Sequence, residues 1–329
     1  MTMNSDSVIN CFINRFIRLR NRFWPLSFFF LLLSIFVTSS CTQNKAQLGT
    51  AENPVKIQFV PSIDAKVIED NSKVFKDYLE KNTPYKYDVT IPQSYIAVVE
   101  AFGTKRADIA AMNTFGYLIA HDKYGVEARM TVLRHDSATY QSMFVAKAGG
   151  SIKKIEDLNG KKIAYVDPAS TTGFIIAAKT LKDKKINPKE TMFAAKHDNV
   201  ISMVYQGQVD AGAAYYSPPA KNENGVEQIE DARRLVLAQY PDVKDKIAII
   251  DLSEPVPNDP FVFRKDLPEE MKTKIVDAMM NFVKTDEGRK AFTAIYGVNG
   301  LKIAVDKDYD VVRDMLKAVG KNPEELLKK

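Results

Sequence analysis

The segment Asp167-Pro168-Ala169-Ser170-Thr171-Thr172-Gly173 has the residue types of an anion clamp. It follows Lys162–Val166, an apolar run that reads as a strand, and opens FIIAAKTL, which reads as a helix. Ser170 is a favoured N-cap residue. Thr171, Thr172 and Gly173 then present backbone N–H groups that have no intrahelical acceptor, at the positive end of the helix dipole. Capping needs one hydroxyl, and here three stand in a row. A helix start built this way binds anions. It lacks both the lysine of GxxxxGK[ST] and the glycines of GxGxxG, so nucleotide binding is not indicated.

Four further candidates sit at element boundaries. Asn113-Thr114 lies between the strand DIAAM and a helix over 114–124. Either residue caps that helix, and either can donate to the same anion. Ser94 opens another helix, where Tyr95 covers a ligand with its phenol or simply packs. Tyr140 and Ser142 lie on an extended stretch. His197 stands at a helix start and Asp210 in the strand VDAGAAYY. An ionised carboxylate only accepts hydrogen bonds. Asp210 is therefore expected either to reject an oxyanion that carries no proton or to pair with a surface lysine.

The rest of the composition narrows the function by exclusion. The chain of 329 residues is 45% apolar and 26% charged, which excludes a disordered chain, a collagen and a polytopic membrane protein. Of its net charge of +5, residues 1–40 carry +3 and the remaining +2 is spread without a basic block, so no nucleic acid is expected. Two cysteines, Cys11 and Cys41, and three separated histidines offer no disulfide framework, no metal site and no HExxH motif. No activated nucleophile–base pair or carboxylate pair stands out. The expectation is a binding protein without cofactor, not an enzyme.

The elements that position these residues alternate. Strand patterns at 55–60, 85–91, 108–112 and 128–134 are interleaved with helical spacing at 66–81, 94–103 and 114–124. A second series has strands at 162–166, 191–195, 209–215 and 248–252, with helices at 173–183 and 198–206. Helices follow at 268–283, 286–296 and 307–319. Strand–helix repeats imply α/β lobes with mainly parallel sheets flanked by helices. Tyr140–Lys147 and Pro260–Arg264 are extended at either end of the second series. If both cross between lobes, the second lobe is an insertion, with 55–143 and 258–329 as lobe 1 and 144–257 as lobe 2. Such a pair makes a hinge, and ligands sit outside the carboxyl ends of the strands.

Residues 1–40 carry an address. Four arginines precede a thirteen-residue apolar run, Pro25–Val37, then Thr38-Ser39-Ser40 and Cys41. The run is short for a hydrocarbon layer of about 30 Å and suits a secretory leader. The order resembles a bacterial lipoprotein signal, in which Cys41 becomes the acylated first residue. An uncleaved anchor and simple secretion are the other readings. Residues 41–54 are polar and read as a flexible tether.

The strings QSYIAVVEAFGTKRADIAAMNTFGYLIA, SIKKIEDLNGKKIAYVDPASTTGF, HDNVISMVYQGQVDAGAAY and PVPNDPFVF resemble the phosphonate/phosphite/phosphate-binding proteins of ABC importers, over roughly 55–300. DPxSxxG after a strand is their most specific piece. The resemblance implies a two-lobed type II periplasmic-binding-protein fold hinged by two crossing strands. It implies a monomer on the extracytoplasmic face of the membrane, held there by the lipid anchor. Its partners are a small phosphorus oxyanion and an importer's permease and ATPase. It places anion contacts on Tyr95, Asn113, Thr114, Ser170, Thr171 and Thr172, with His197 and Asp210 in the cleft. Gly173, Tyr140 and Ser142 complete the expected site. A related family binding thiamine precursors, and sensory lobes, share this architecture and are the alternatives. The family's loop after the third strand is usually Gly-rich, and here it reads MNTFG.

Overall fold

A computed structural model describes residues 46–221 and 225–318. Cys41 and the apolar leader lie outside them. Strands β1 (Val55–Phe59), β2 (Tyr87–Thr90), β3 (Ile109–Ala111) and β4 (Glu127–Leu133) come first. Helices α1 (Ala65–Asn82), α2 (Tyr95–Gly103) and α3 (Thr114–Tyr124) separate them. β5 (Thr139–Lys147) leads to β6 (Lys162–Tyr165), α4 (Ile176–Asp183), β7 (Glu190–Phe193), α5 (His197–Gln206) and β8 (Ala211–Tyr216). The short strands β9 (Ala220–Lys221) and β10 (Glu227–Gln228) pair with each other. Next are α6 (Val243–Lys246), β11 (Ile247–Leu252) and β12 (Val256–Pro257). β13 (Pro260–Phe263), α7 (Glu269–Phe282), α8 (Asp286–Tyr296), β14 (Gly300–Ile303) and α9 (Asp310–Ala318) follow.

Two sheets result, with orders β14-β4-β13-β3-β1-β2 and β11-β5-β8-β6-β7. In the first, β2, β1, β3 and β4 point one way, and β13 is wedged antiparallel between β3 and β4. In the second, β7, β6, β8 and β11 point one way, and β5 is antiparallel between β11 and β8. The interrupting strand in each sheet is the one where the chain arrives from the other sheet. Both sheets are thus mixed at their crossing strands, beyond the mainly parallel order expected. The crossing segments pair directly, Tyr140 opposite Val256 and Thr139 opposite Pro257.

Local chemistry accounts for the elements. Asp64 caps α1 by accepting from Lys66 and Val67 N–H, and Ile68, Phe75 and Leu79 recur at helical spacing on its buried face. Phe75 is fully buried at the centre of an aromatic cluster, with ring centroids 5.2 Å from Phe292 and 5.3 Å from Phe282. Burying a side chain of this size contributes about 1.5–3 kcal/mol. A separate cluster of Phe144, Leu158, Ile163, Tyr165 and Leu181 packs on one face of the second sheet.

Residues 47–54 are docked, unlike the flexible tether expected there. Gly49 accepts from Lys86 N–H at 2.8 Å, and Leu48 packs against the aromatic cluster. The apolar Leu48 and the turn closed by Gly49 N–H to the Asn53 carbonyl explain the docking. Among the described residues no helix is long and apolar enough to cross a membrane.

Candidate functional site

The carboxyl ends of β1, β3, β4 and β6 and the start of α5 converge on a cavity of about 40 Å³ between the two sheets. Of the residues expected from sequence, Tyr95, Asn113, Tyr140, Ser170, Thr171, Thr172 and His197 line it.

The turn after β6 is wider than the regular helix start expected. Thr171–Ile175 forms a π-type turn, closed by Ile175 N–H to the Ser170 carbonyl at 3.0 Å, before α4 begins. Ser170 caps it, its Oγ accepting from Gly173 N–H at 3.2 Å. Gly173 stands behind the site. A Cβ there would lie 2.4 Å from Val166 Cγ2, so glycine lets the turn pack on the strand end. Ser142 also supports from behind, its buried hydroxyl donating to the Thr172 carbonyl at 2.6 Å. Neither lines the cavity.

Thr171 bridges the two sheets. Its Oγ1 accepts from Asn113 Nδ2 and from Phe115 N–H, each at 2.9 Å. Asn113 Nδ2 also donates to the Ala169 carbonyl at 2.7 Å. Asn113 makes no side-chain cap on α3, contrary to expectation. Its amide reaches across the cleft, and an N-terminal N–H of α3 is satisfied by the opposite side. His197 N–H donates to the Ser62 carbonyl at 3.0 Å, a further bond across the cleft. Thr114 holds the returning chain instead of lining the cavity, donating to the Pro257 carbonyl at 2.9 Å.

Asp210 is not in the cleft. It precedes β8, where its carboxylate accepts from Lys162 N–H at 2.8 Å on the exposed surface. β6 and β8 are parallel, so this is their amino-terminal end, roughly 20 Å of strand away from the cleft. Tyr215, near the other end of β8, lines the cavity.

Sequence reasoning missed Ser62, Arg134, Tyr215, Asp259 and Tyr296. Arg134, at the end of β4, is buried and donates to the Tyr296 carbonyl (3.0 Å), Asn258 Oδ1 (2.8 Å) and Asp259 Oδ2 (3.0 Å). The other Asp259 oxygen accepts from the Tyr140 hydroxyl at 2.7 Å. The polarity of the strands was the available signal for Tyr215. Arg134 had none, because its partners are distant in sequence.

Burial holds the phenols of Tyr95, Tyr140 and Tyr296 well above their ordinary range, so each stays a protonated donor. The Tyr95 hydroxyl is buried beside the Ser170 side chain and makes no well-formed hydrogen bond. Burial, then the charge of Arg134, lowers the His197 imidazole to about 3. Tyr215 N–H donates to His197 Nδ1 at 3.3 Å, which puts the ring proton on Nε2. Two of these phenols are already committed, Tyr140 to Asp259 and Tyr296 to the Val60 carbonyl, each at 2.7 Å. The neutral donors left to the cleft are the Tyr95, Ser170 and Thr172 hydroxyls and the His197 Nε2–H, beside one compensated ion pair.

The two sheets joined by paired crossing strands, with a donor-lined cavity between them, define a two-lobed ligand-binding protein. The chain belongs to the ABC transporter, phosphonate, periplasmic substrate-binding protein family, whose model matches residues 57–309. This family is extracytoplasmic. The chain is 27% identical over 201 residues to the phosphate-import protein PhnD of Mycolicibacterium smegmatis, covering 54% of this chain and 61% of the relative. It is 25% identical over 222 residues to the phosphonates-binding periplasmic protein of Escherichia coli, covering 65% of this chain and 61% of the relative. The chain thus spans about three fifths of the length of these curated relatives. The solved structure of PhnD1 from Prochlorococcus marinus in complex with methylphosphonate shares the fold, with TM-score 0.68 and 18% identity, covering 82% of this chain and 98% of that one.

A histidine held neutral in the fold but free to protonate when unfolded weakens the fold as pH falls below about 6.5. Between pH 8 and 5 the native ring is expected to stay neutral with its proton on Nε2. Nitrogen-15 NMR of labelled histidine checks this, and a His197 resonance titrating near 6.5 would contradict it.

Proposed function

We propose that this chain captures a phosphorus oxyanion (phosphonate, phosphite or phosphate) between its lobes and delivers it to the permease and ATPase of an ABC importer. The lobes are 55–143 with 258–329, and 144–257, moving about the paired strands at Tyr140 and Val256. The observation that carries the reading is the buried Tyr95 hydroxyl, which has the Ser170 side chain beside it but no well-formed hydrogen bond, in the wall of a cavity that the Ser170–Thr172 turn also lines. A buried donor so poorly paired is unfavourable until a ligand oxygen meets it. Donors from both lobes bind an anion only when the lobes are together, so the ligand favours closure by its differential affinity.

Tyr95, Asn113, Tyr140, Ser170, Thr171, Thr172 and His197 are the proposed ligand-binding set. Thr171 and Asn113 act chiefly by joining the lobes, and Thr172 donates to the ligand. Ser142, Gly173 and Thr114 support this set from outside the cavity. Thr172→Ala removes a hydroxyl donor to a charged group, worth about 1.5–3 kcal/mol, or roughly ten- to hundredfold in affinity. Titration calorimetry of wild type and variant with phosphite, phosphate and methylphosphonate checks this. Unchanged affinity in the variant would move the anion away from the turn.

The protein is further proposed to work as a monomeric lipoprotein attached through Cys41. The support is the ordered basic, apolar, small-residue and cysteine leader. One acyl chain binds membranes only marginally, so stable attachment takes more than one. Cys41→Ala is expected to shift the protein from the membrane to the soluble fraction. Unchanged partitioning and mass would rule the anchor out.

A further inference from the structure

We infer that the cleft takes compact phosphorus oxyanions and excludes those bearing an ammonium group, and that Arg134 sets this selectivity. The inference rests on reading the cleft as a phosphorus-oxyanion site. Among the residues lining the cavity the formal charges are Arg134 and Asp259, since His197 is neutral and the tyrosines are protonated. An ammonium arm needs a carboxylate to replace its water. Asp259 is already matched, one oxygen by Arg134 at 3.0 Å and the other by the Tyr140 hydroxyl at 2.7 Å. A ligand cation reaching Asp259 would also stand beside the guanidinium. Like charges brought together in a water-poor site repel strongly.

Arg134 cannot easily turn aside. Its Nε is fixed to the Tyr296 carbonyl, its Nη1 to Asn258, and its guanidinium lies 5.0 Å from the centre of the Tyr140 ring. Asn258 is itself held, its amide donating to the Val132 and Ser137 carbonyls at 3.0 and 2.8 Å. The same rigid charge favours an anion at the cavity. Size acts in the same direction. A cavity of about 40 Å³ is far smaller than the roughly 300–1,000 Å³ of an ordinary small-molecule pocket. That suits an oxyanion with a hydrogen, hydroxyl or methyl substituent better than one with a longer arm.

The test is titration calorimetry of the wild-type protein with phosphite, phosphate, methylphosphonate, propylphosphonate and 2-aminoethylphosphonate. The last two match in heavy-atom count and differ in a methyl replaced by an ammonium. One or more of the first three is expected to bind. Propylphosphonate is expected to bind at least about tenfold more weakly than the best of them, and 2-aminoethylphosphonate at least about tenfold more weakly again. Arg134→Gln should narrow the gap between the last two, and Arg134→Lys, which keeps the charge, should preserve it. Wild-type binding of 2-aminoethylphosphonate as tight as that of methylphosphonate overturns the inference while leaving the oxyanion reading intact. No binding of any of the five overturns both.

Discussion

The site depends on one hydroxyl. Thr171 Oγ1 lies where the turn after β6 meets the start of α3 and accepts from two groups of the other lobe. It forms the cleft's inner surface from both lobes, places the Ser170–Thr172 turn opposite Tyr95, and satisfies an N-terminal donor of α3. Each such bond is worth about 0.5–1.5 kcal/mol net, because water would take its place in an open cleft. The Asn113–Ala169 and His197–Ser62 bonds add to it across the same cleft.

The second constraint is electrostatic. An anion enclosed away from water must be matched, and a free buried cation would itself be costly to maintain without ligand. This cleft avoids that by pairing Arg134 with Asp259 and lining the cavity with phenols, hydroxyls and an imidazole N–H. Burial fixes their protonation, raising the phenols and lowering the imidazole, so they are donors throughout the neutral range. The crossing strands bring Tyr140 to this network, and Pro260, next to Asp259, begins β13. The hinge region and the charge pair are therefore neighbours in the fold.

Local signals made much of this legible in the sequence. Helices over 114–124 and 286–296 have the bounds expected from their spacing, and α1 differs by one residue at each end. Gly125 and Gly297 end the first two in the left-handed region. The DPASTTG turn announced itself through its capping residue and hydroxyls. Strands β9, β10, β12 and β14 are two to four residues long, too short to show a period. Asp210 was misplaced although strand polarity puts it at the wrong end of β8, where the rule that ligands sit at carboxyl ends excludes it. Arg134 was invisible for a different reason. An arginine after a strand is ordinarily exposed, and the acceptors that hold its guanidinium, on Asn258, Asp259 and Tyr296, lie more than a hundred residues further on.

The account's central claim is that Thr171 and Asn113 act as one unit in binding. A double-mutant cycle of Asn113→Ala and Thr171→Val, read by calorimetric affinity for phosphite or phosphate, tests it most directly. Residues that share a hydrogen bond couple by about 0.5–3 kcal/mol, whereas independent sites add within about 0.3–0.5 kcal/mol. The account predicts coupling in the first range, with the double variant little worse than either single one. Losses that simply add would contradict it.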